Sequence, residues 1–273
     1  MNKNSKLCIL GTGNIGSAIA KGLHDSGSFD PSNIILTRRN LHHLEVFEKK
    51  GFIVKSDNCE AVRQSEIIIV AVEPQQLDSI LEEIREQLDP EKHVIVSVVT
   101  GASIRQILKV IGKGLPIVRA MPNTAIAIRE SMTCLAVNGG HQDALRVAED
   151  VFATVGETME IEESQMSAAT ALGACGVAFF LRVIRAASQG GIEIGFHSDK
   201  SLKIAAQTAK GAASLLLQTK NHPEFEIDRV TTPRGVTISG LNQMEHEGLS
   251  SAMIKGIVTS AEKAARLYTS DED

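Results

Sequence analysis

The sequence predicts an α/β doubly wound sheet over residues 1–163 and an all-α second half over residues 164–273. Three observations carry that prediction. The apolar run Leu7-Cys8-Ile9-Leu10 leads directly into Gly11-Thr12-Gly13-Asn14-Ile15-Gly16 and then into the helical spacing of Ile15, Ile19 and Leu23. This is the strand, glycine turn and helix order that a dinucleotide site requires. Short β-rich runs then alternate with helix-patterned segments, which argues for a parallel sheet covered on both faces. After Glu162-Glu163-Ser164 the texture changes to helical periodicity with no convincing strand.

Strands are predicted at residues 6–10, 34–37, 53–55, 67–72, 94–99, 117–120 and 133–137, with a closing strand at 156–161. Ile67-Ile68-Ile69-Val70 is apolar at every position, as a strand buried on both faces must be. Helices are predicted at 15–26, 41–50, 59–64, 75–87, 104–111 and 141–153. In the second half, residues 166–195 are nearly continuous and rich in Ala and Gly. Residues 199–218, capped by Ser198, and 249–268 form two more helices. The acidic tail Ser270–Asp273 is expected to fray.

Composition narrows the function classes. The chain has 273 residues, of which 43% are hydrophobic, enough for a real core. Its net charge of −5 argues against a nucleic-acid or anionic-membrane surface. No long apolar stretch is free of charge, so no membrane span is expected, and the first apolar run is too short for a signal peptide. Cys8, Cys59, Cys134 and Cys175 are scattered without a CxxC pair and suit reduced thiols, so the cytoplasm is the expected compartment. With aromatics at 3% and no Trp, a base-stacking platform is not expected. His42 and His43 are adjacent and the other histidines isolated, so no metal site is predicted.

Within the glycine turn, Gly11 permits the bend, Gly13 lets backbone approach a pyrophosphate, and Gly16 lets helix and strand pack closely. Thr12, Asn14 and Ile15 complete the segment, whose unpaired N–H groups face the phosphates. The tip of the second strand chooses the cofactor. It reads Thr37-Arg38-Arg39-Asn40, with no carboxylate for a ribose 2′-OH. Arg38 and Arg39 are either a solvated helix start or partners of a 2′-phosphate. Because basic residues there oppose the helix dipole, the second reading is favoured, and NADP(H) is expected over NAD(H).

Three further stretches point one way: Ala71-Val72-Glu73-Pro74-Gln75, Val118-Arg119-Ala120-Met121-Pro122-Asn123-Thr124, and residues 230–241, which include Thr231-Thr232-Pro233-Arg234-Gly235-Val236-Thr237. With the glycine turn, His222-Pro223 and Ala205-Ala206-Gln207-Thr208, they resemble the pyrroline-5-carboxylate reductase family, in the same order over nearly the whole chain. Its patterns there are AVKPQ, RxMPNTP and a VTSPGGTTIxxL-like loop. The resemblance implies NAD(P)H-dependent reduction of the cyclic imino acid 1-pyrroline-5-carboxylate to proline, an N-terminal Rossmann domain, and a helical dimerisation domain that joins subunits into a dimer or a larger homo-oligomer. It places Val70, Ala71, Val72 and Pro74 beside the nicotinamide ribose, and Met121, Pro122, Asn123 and Thr124 beside the nicotinamide. The loop Thr231, Thr232, Arg234, Gly235 and Val236 would hold the substrate carboxylate, and the hydroxyl of Thr237 would act at the imine nitrogen. For Asn123, Thr124 and Thr237 a simple helix-capping role is the competing reading.

The chain departs from those patterns near the chemistry. Glu73 stands in place of lysine, Ala125 in place of proline, and Gly173–Phe179 lacks the serines, proline and tyrosine of SGSGPAY. Arg234 replaces a glycine, which at φ > 0 costs about 1–2 kcal/mol. It either points into the site, where it holds a carboxylate and pairs with Glu73, or lies in solvent. These changes keep two alternatives open: a divergent imine or keto-acid reductase, and a non-catalytic NADP-binding homologue.

Overall fold

The computed structural model describes residues 5–112 and 114–267. The expected fraying tail, Tyr268 and the polar start Met1–Asn4 lie outside the described residues. In chain order the first part runs β1 (Leu7–Leu10), α1 (Asn14–Ser26), β2 (Ile34–Thr37), a 3-10 turn at Leu41–Leu44 leading into α2 (Glu45–Glu48), β3 (Ile53–Lys55), α3 (Asn58–Arg63), β4 (Ile67–Val70), α4 (Leu77–Ile84), β5 (Val94–Ser97), α5 (Ile104–Ile111), β6 (Ile117–Met121), β7 (Ser131–Val137), α6 (Gln142–Phe152) and β8 (Gly156–Glu160). All eight predicted strands are present. They form one sheet in the order β3-β2-β1-β4-β5-β6-β7-β8, parallel except between β6 and β7.

The central strands β1 and β4 are apolar at every position because both faces are covered. On one face Leu7, Ile9, Ile34, Leu36 and Ile69 pack with Ile19 and Leu23 of α1 and Leu145 and Phe152 of α6. On the other, Cys8, Leu10, Ile35, Ile68 and Val70 pack with α3, α4 and α5. Each fully buried Leu or Ile contributes about 1.5–3 kcal/mol, so the sheet is the rigid frame from which the loops project. Burial also pushes the Cys8 thiol up to about 12. The Arg119 guanidinium on β6 is buried and held 3.3 Å from the Glu163 carboxylate, which also accepts the Ile104 N–H that opens α5 at 2.6 Å. Burial lowers the pKa of Arg119, and Glu163 opposes that shift.

The second part is helical: α7 (Met166–Ala169), a π turn (Thr170–Ala174), α8 (Gly176–Glu193), α9 (Ser198–Thr219), α10 (Pro223–Arg229), α11 (Val236–His246) and α12 (Leu249–Ala265). The chain divides into two compact units, one reaching to Cys175 and resuming at Thr259, the other from Gly176 to Val258. Two details differ from expectation. His197, already extended at φ −65° and ψ 149°, is the N-cap of α9, so Ser198 is its first helical residue. The predicted helix at 41–50 is a 3-10 turn followed by four α residues, because the Asn40 side chain binds His42 N–H at 3.1 Å and Gly51 turns with φ 92°.

By length and composition the helical run Glu163–Glu193, with an 18-residue window of mean hydropathy 1.7, is long and apolar enough to cross a membrane. It is not uniformly apolar, since Arg182 and Arg185 sit within it. Within the second unit α8 and α9 cross closely, with Ser201 Oγ donating to the Ser188 carbonyl at 2.6 Å. This unit leaves large apolar side chains exposed, among them Leu181, Ile194, Leu217 and Phe225.

Candidate active site

The strand order reverses between β1 and β4, and open α/β sheets bind ligands at the carboxyl ends of the strands flanking such a point. A cleft of about 460 Å³ lies there, lined by Gly11, Thr12, Gly13, Thr37, Arg38, Arg39 and the loop after β4. Gly11 turns with φ 87°, and a Cβ on it would lie 2.5 Å from Val72 and 2.9 Å from the Ala71 carbonyl oxygen. A Cβ on Gly16 would lie 2.6 Å from the Gly11 carbonyl oxygen, so α1 leaves the strand only if this residue is glycine.

Hydrogen bonds hold the turn to the second strand. Thr12 N–H donates to the Thr37 carbonyl at 2.9 Å, and Gly11 N–H to Thr37 Oγ1 at 3.3 Å. Thr37 Oγ1 in turn donates to Asn58 Oδ1 at 2.7 Å, whose amide reaches Glu83 at 3.1 Å. Arg38 Nη1 donates to the Thr12 carbonyl at 3.0 Å. The residues fit a dinucleotide. No side chain caps α1, no acidic residue stands in its first turn, and space is open where a Gly13 Cβ would stand. Thr12 Oγ1 is buried without a hydrogen-bond partner, a group that a ligand phosphate would satisfy.

The other expected residues fall as follows. Ala71 and Val72 line the cleft, with Glu73 exposed beside them; Pro74 opens the 3-10 turn that follows, and the Val70 side chain is in the core. Asn14 and Ile15 are the first residues of α1. Met121 and Pro122 are buried, Met121 against Ala136 and Met166, while Thr124 is exposed. Asn123 does cap a helix: its Oδ1 accepts Ala125 N–H at 3.0 Å, and its Nδ2 donates to the Gly173 carbonyl in the π turn at 3.2 Å.

In the second unit, Gly235 N–H donates to the Thr232 carbonyl at 2.8 Å across Pro233 and Arg234. With proline second and a positive φ third, this is a type II turn, and Arg234 occupies its strained position at φ 57°. Thr231 Oγ1 donates to the Ile227 carbonyl at 2.7 Å. Gly235, not Thr237, is the N-cap of α11, so the capping reading of Thr237 does not hold; its half-buried hydroxyl stands in the first turn, and Val236 is exposed. Sequence reasoning missed Asn40, His43, Ser56 and Asn58, all on the cleft. Ser56 and Asn58 follow β3, whose end lies on the same sheet edge, and that position was the available signal. Among the described residues no cluster of His, Cys, Asp or Glu is arranged to hold a metal.

A doubly wound sheet with a glycine turn at its switch point is the architecture of nicotinamide-dinucleotide oxidoreductases. Residues 6–101 match the family model described as NADP oxidoreductase coenzyme F420-dependent, and residues 163–267 match pyrroline-5-carboxylate reductase dimerisation. Pyrroline-5-carboxylate reductase 1 of Dictyostelium discoideum is 54% identical over 275 residues, covering 96% of this chain and 50% of that protein. The chain therefore spans half the length of that relative. Pyrroline-5-carboxylate reductase 2 of the same organism is 48% identical, with 97% and 94% covered. The crystal structure of Plasmodium falciparum pyrroline carboxylate reductase with NADP bound has a TM-score of 0.89 at 24% identity, covering 98% of this chain and 99% of that one. The chain belongs to the pyrroline-5-carboxylate reductase family.

Proposed function

We propose that this chain reduces 1-pyrroline-5-carboxylate to L-proline with NADPH, the last step of proline biosynthesis. The observation that carries the reading is the switch-point cleft, where an uncapped helix, an orphaned Thr12 hydroxyl and two arginines converge on the shape of a phosphorylated dinucleotide. The cofactor, when bound, supplies the hydride. The chain's own residues bind, orient and protonate. The turn Gly11–Gly13, its own N–H groups bound to Thr37 and Gly11, presents the N–H groups of Asn14, Ile15 and Gly16 at the start of α1 to the pyrophosphate, and Thr12 adds its hydroxyl. Arg38 and Arg39 take the 2′-phosphate, which a carboxylate at that place would repel. Residues 70–74 and 121–124 shape the nicotinamide end.

At the start of α11, Thr232 and Val236 offer backbone N–H groups to the substrate carboxylate and Arg234 adds a guanidinium, while Thr231 and Gly235, whose own N–H groups bind the Asp228 and Thr232 carbonyls, hold the loop in shape. Thr237 holds the imine nitrogen with its hydroxyl and relays a proton from water to it. In this reading residues 1–163 bind the cofactor, and residues 164–273 bind substrate and pair the subunits into a homo-oligomer. The exposed apolar helices then serve association rather than membrane insertion. The four free cysteines suit a cytoplasmic enzyme.

The test is NADPH oxidation followed at 340 nm with 1-pyrroline-5-carboxylate, with NADH in parallel. Turnover favouring NADPH is the expected result. Cofactor binding without turnover would direct the search to other cyclic imino acids. Thr237→Val keeps the shape and removes the hydroxyl, so kcat is expected to fall about 10²-fold or more with little change in NADPH affinity.

A further inference from the structure

The cleft continues past the two arginines. Asn40 Oδ1 accepts His42 N–H and so starts the 3-10 turn Leu41–Leu44, which brings His43 into the lining of the cleft that Arg38, Arg39 and Ser56 also line. The two neighbouring imidazoles differ in their partners. His42 Nδ1 lies 2.7 Å from Glu45 Oε1, within hydrogen-bond distance. His43 lines the cleft itself.

We propose that His43 is a third cationic partner for the 2′-phosphate of NADP(H), and that it makes the choice between NADP(H) and NAD(H) depend on pH. The inference rests on the proposed use of NADPH at this cleft. A phosphate monoester is close to doubly charged above its second ionisation, about pH 6. Guanidiniums hold their charge at every accessible pH, whereas histidine changes charge between about pH 5 and 8. The other charged groups near the turn or in the cleft lining are Glu45 and Glu48 on α2, Lys55 on β3 paired with Glu60, and Glu73 and Glu83. Carboxylates and ammonium groups of these kinds do not ordinarily titrate between pH 6.5 and 8.5. Histidine is the residue type whose cation is lost as pH rises through that window, and of the two neighbouring histidines at this turn His43 is the one that lines the cleft. NAD(H), with a 2′-hydroxyl at this place, gains nothing from that cation.

The test is a binding titration of the purified full chain, followed by calorimetry, with NADP+, NAD+ and 2′-AMP at pH 6.5 and 8.5. The proteins compared are wild type, His43→Gln and His43→Lys. For wild type, the Kd for NADP+ and 2′-AMP is expected to rise about fivefold from the lower to the higher pH, with NAD+ unchanged. His43→Gln is expected to bind NADP+ weakly at both values, and His43→Lys tightly at both. A wild-type profile retained in His43→Gln would overturn the proposal. So would equal weakening of NAD+ and NADP+, which is the signature of adenine stacking. If wild type shows no preference for NADP+ at either pH, the NADPH reading fails and the proposal with it. A preference that does not respond to pH or to His43 leaves the NADPH reading standing and removes only this one.

Discussion

Arg234 carries a backbone conformation that suits glycine, at φ 57° in a type II turn ahead of α11. A basic residue at a helix start also opposes the dipole. Arg234→Gly is therefore expected to stabilise the protein by about 1 kcal/mol in thermal or urea unfolding, while raising KM for the imino acid because the guanidinium is gone. A stability gain with unchanged KM would return Arg234 to the solvent. At this scale the sequence was unevenly informative. The replaced glycine announced the strain at Arg234, because a turn type dictates its residue. Asn123 taken alone read as a cap and, with the stretches around it, as a cofactor ligand; its Oδ1 does cap the 3-10 turn, and the ligand role stays a proposal. Asn58 was invisible because its role comes from Thr37, 21 residues away, through one hydrogen bond.

At the scale of elements, the central strands β1 and β4 were legible because a parallel strand buried on both faces has no polar position to blur it. The 3-10 turns and the π turn at Thr170–Ala174 were not, since they differ from an α-helix in hydrogen-bond register rather than in the spacing of apolar side chains. Nor was the tie between Arg119 on β6, Glu163 after β8 and the first N–H of α5, which joins residues 44 and 59 positions apart. Glu163→Ala leaves the buried guanidinium and that N–H without their acceptor. Because the Glu163 side chain is 34% exposed and water can partly replace it, the expected loss is about 1–3 kcal/mol in urea unfolding. Glu163→Gln, which keeps an acceptor oxygen, is expected to lose less. Equal losses would show that the charge, not the acceptor, carries the tie.

For the whole molecule, the change of texture after residue 163 separated a sheet-forming half from a helical one, but composition did not say what the helical half was for. Its exposed side chains, with Ile194 78% and Leu217 77% accessible, fit the proposed association of subunits. Dilution of the purified protein is expected to lower its thermal midpoint and its specific activity together, as mass action requires of an obligate assembly. Sedimentation at falling concentration checks this, and a compact monomer that keeps its midpoint would refute it. Residues 11–83, which line the cofactor cleft, all belong to the unit that reaches to Cys175, so nucleotide affinity is expected to fall less than turnover on dilution.

The strained turn at Arg234 has a consequence in the language of the genetic code. Every arginine codon becomes a glycine codon when its first base changes to G, so the relaxed turn is a single base away from any gene that encodes this chain. A library of point mutants selected only for survival of heating should recover Arg234→Gly, and the same library selected for growth without proline should discard it.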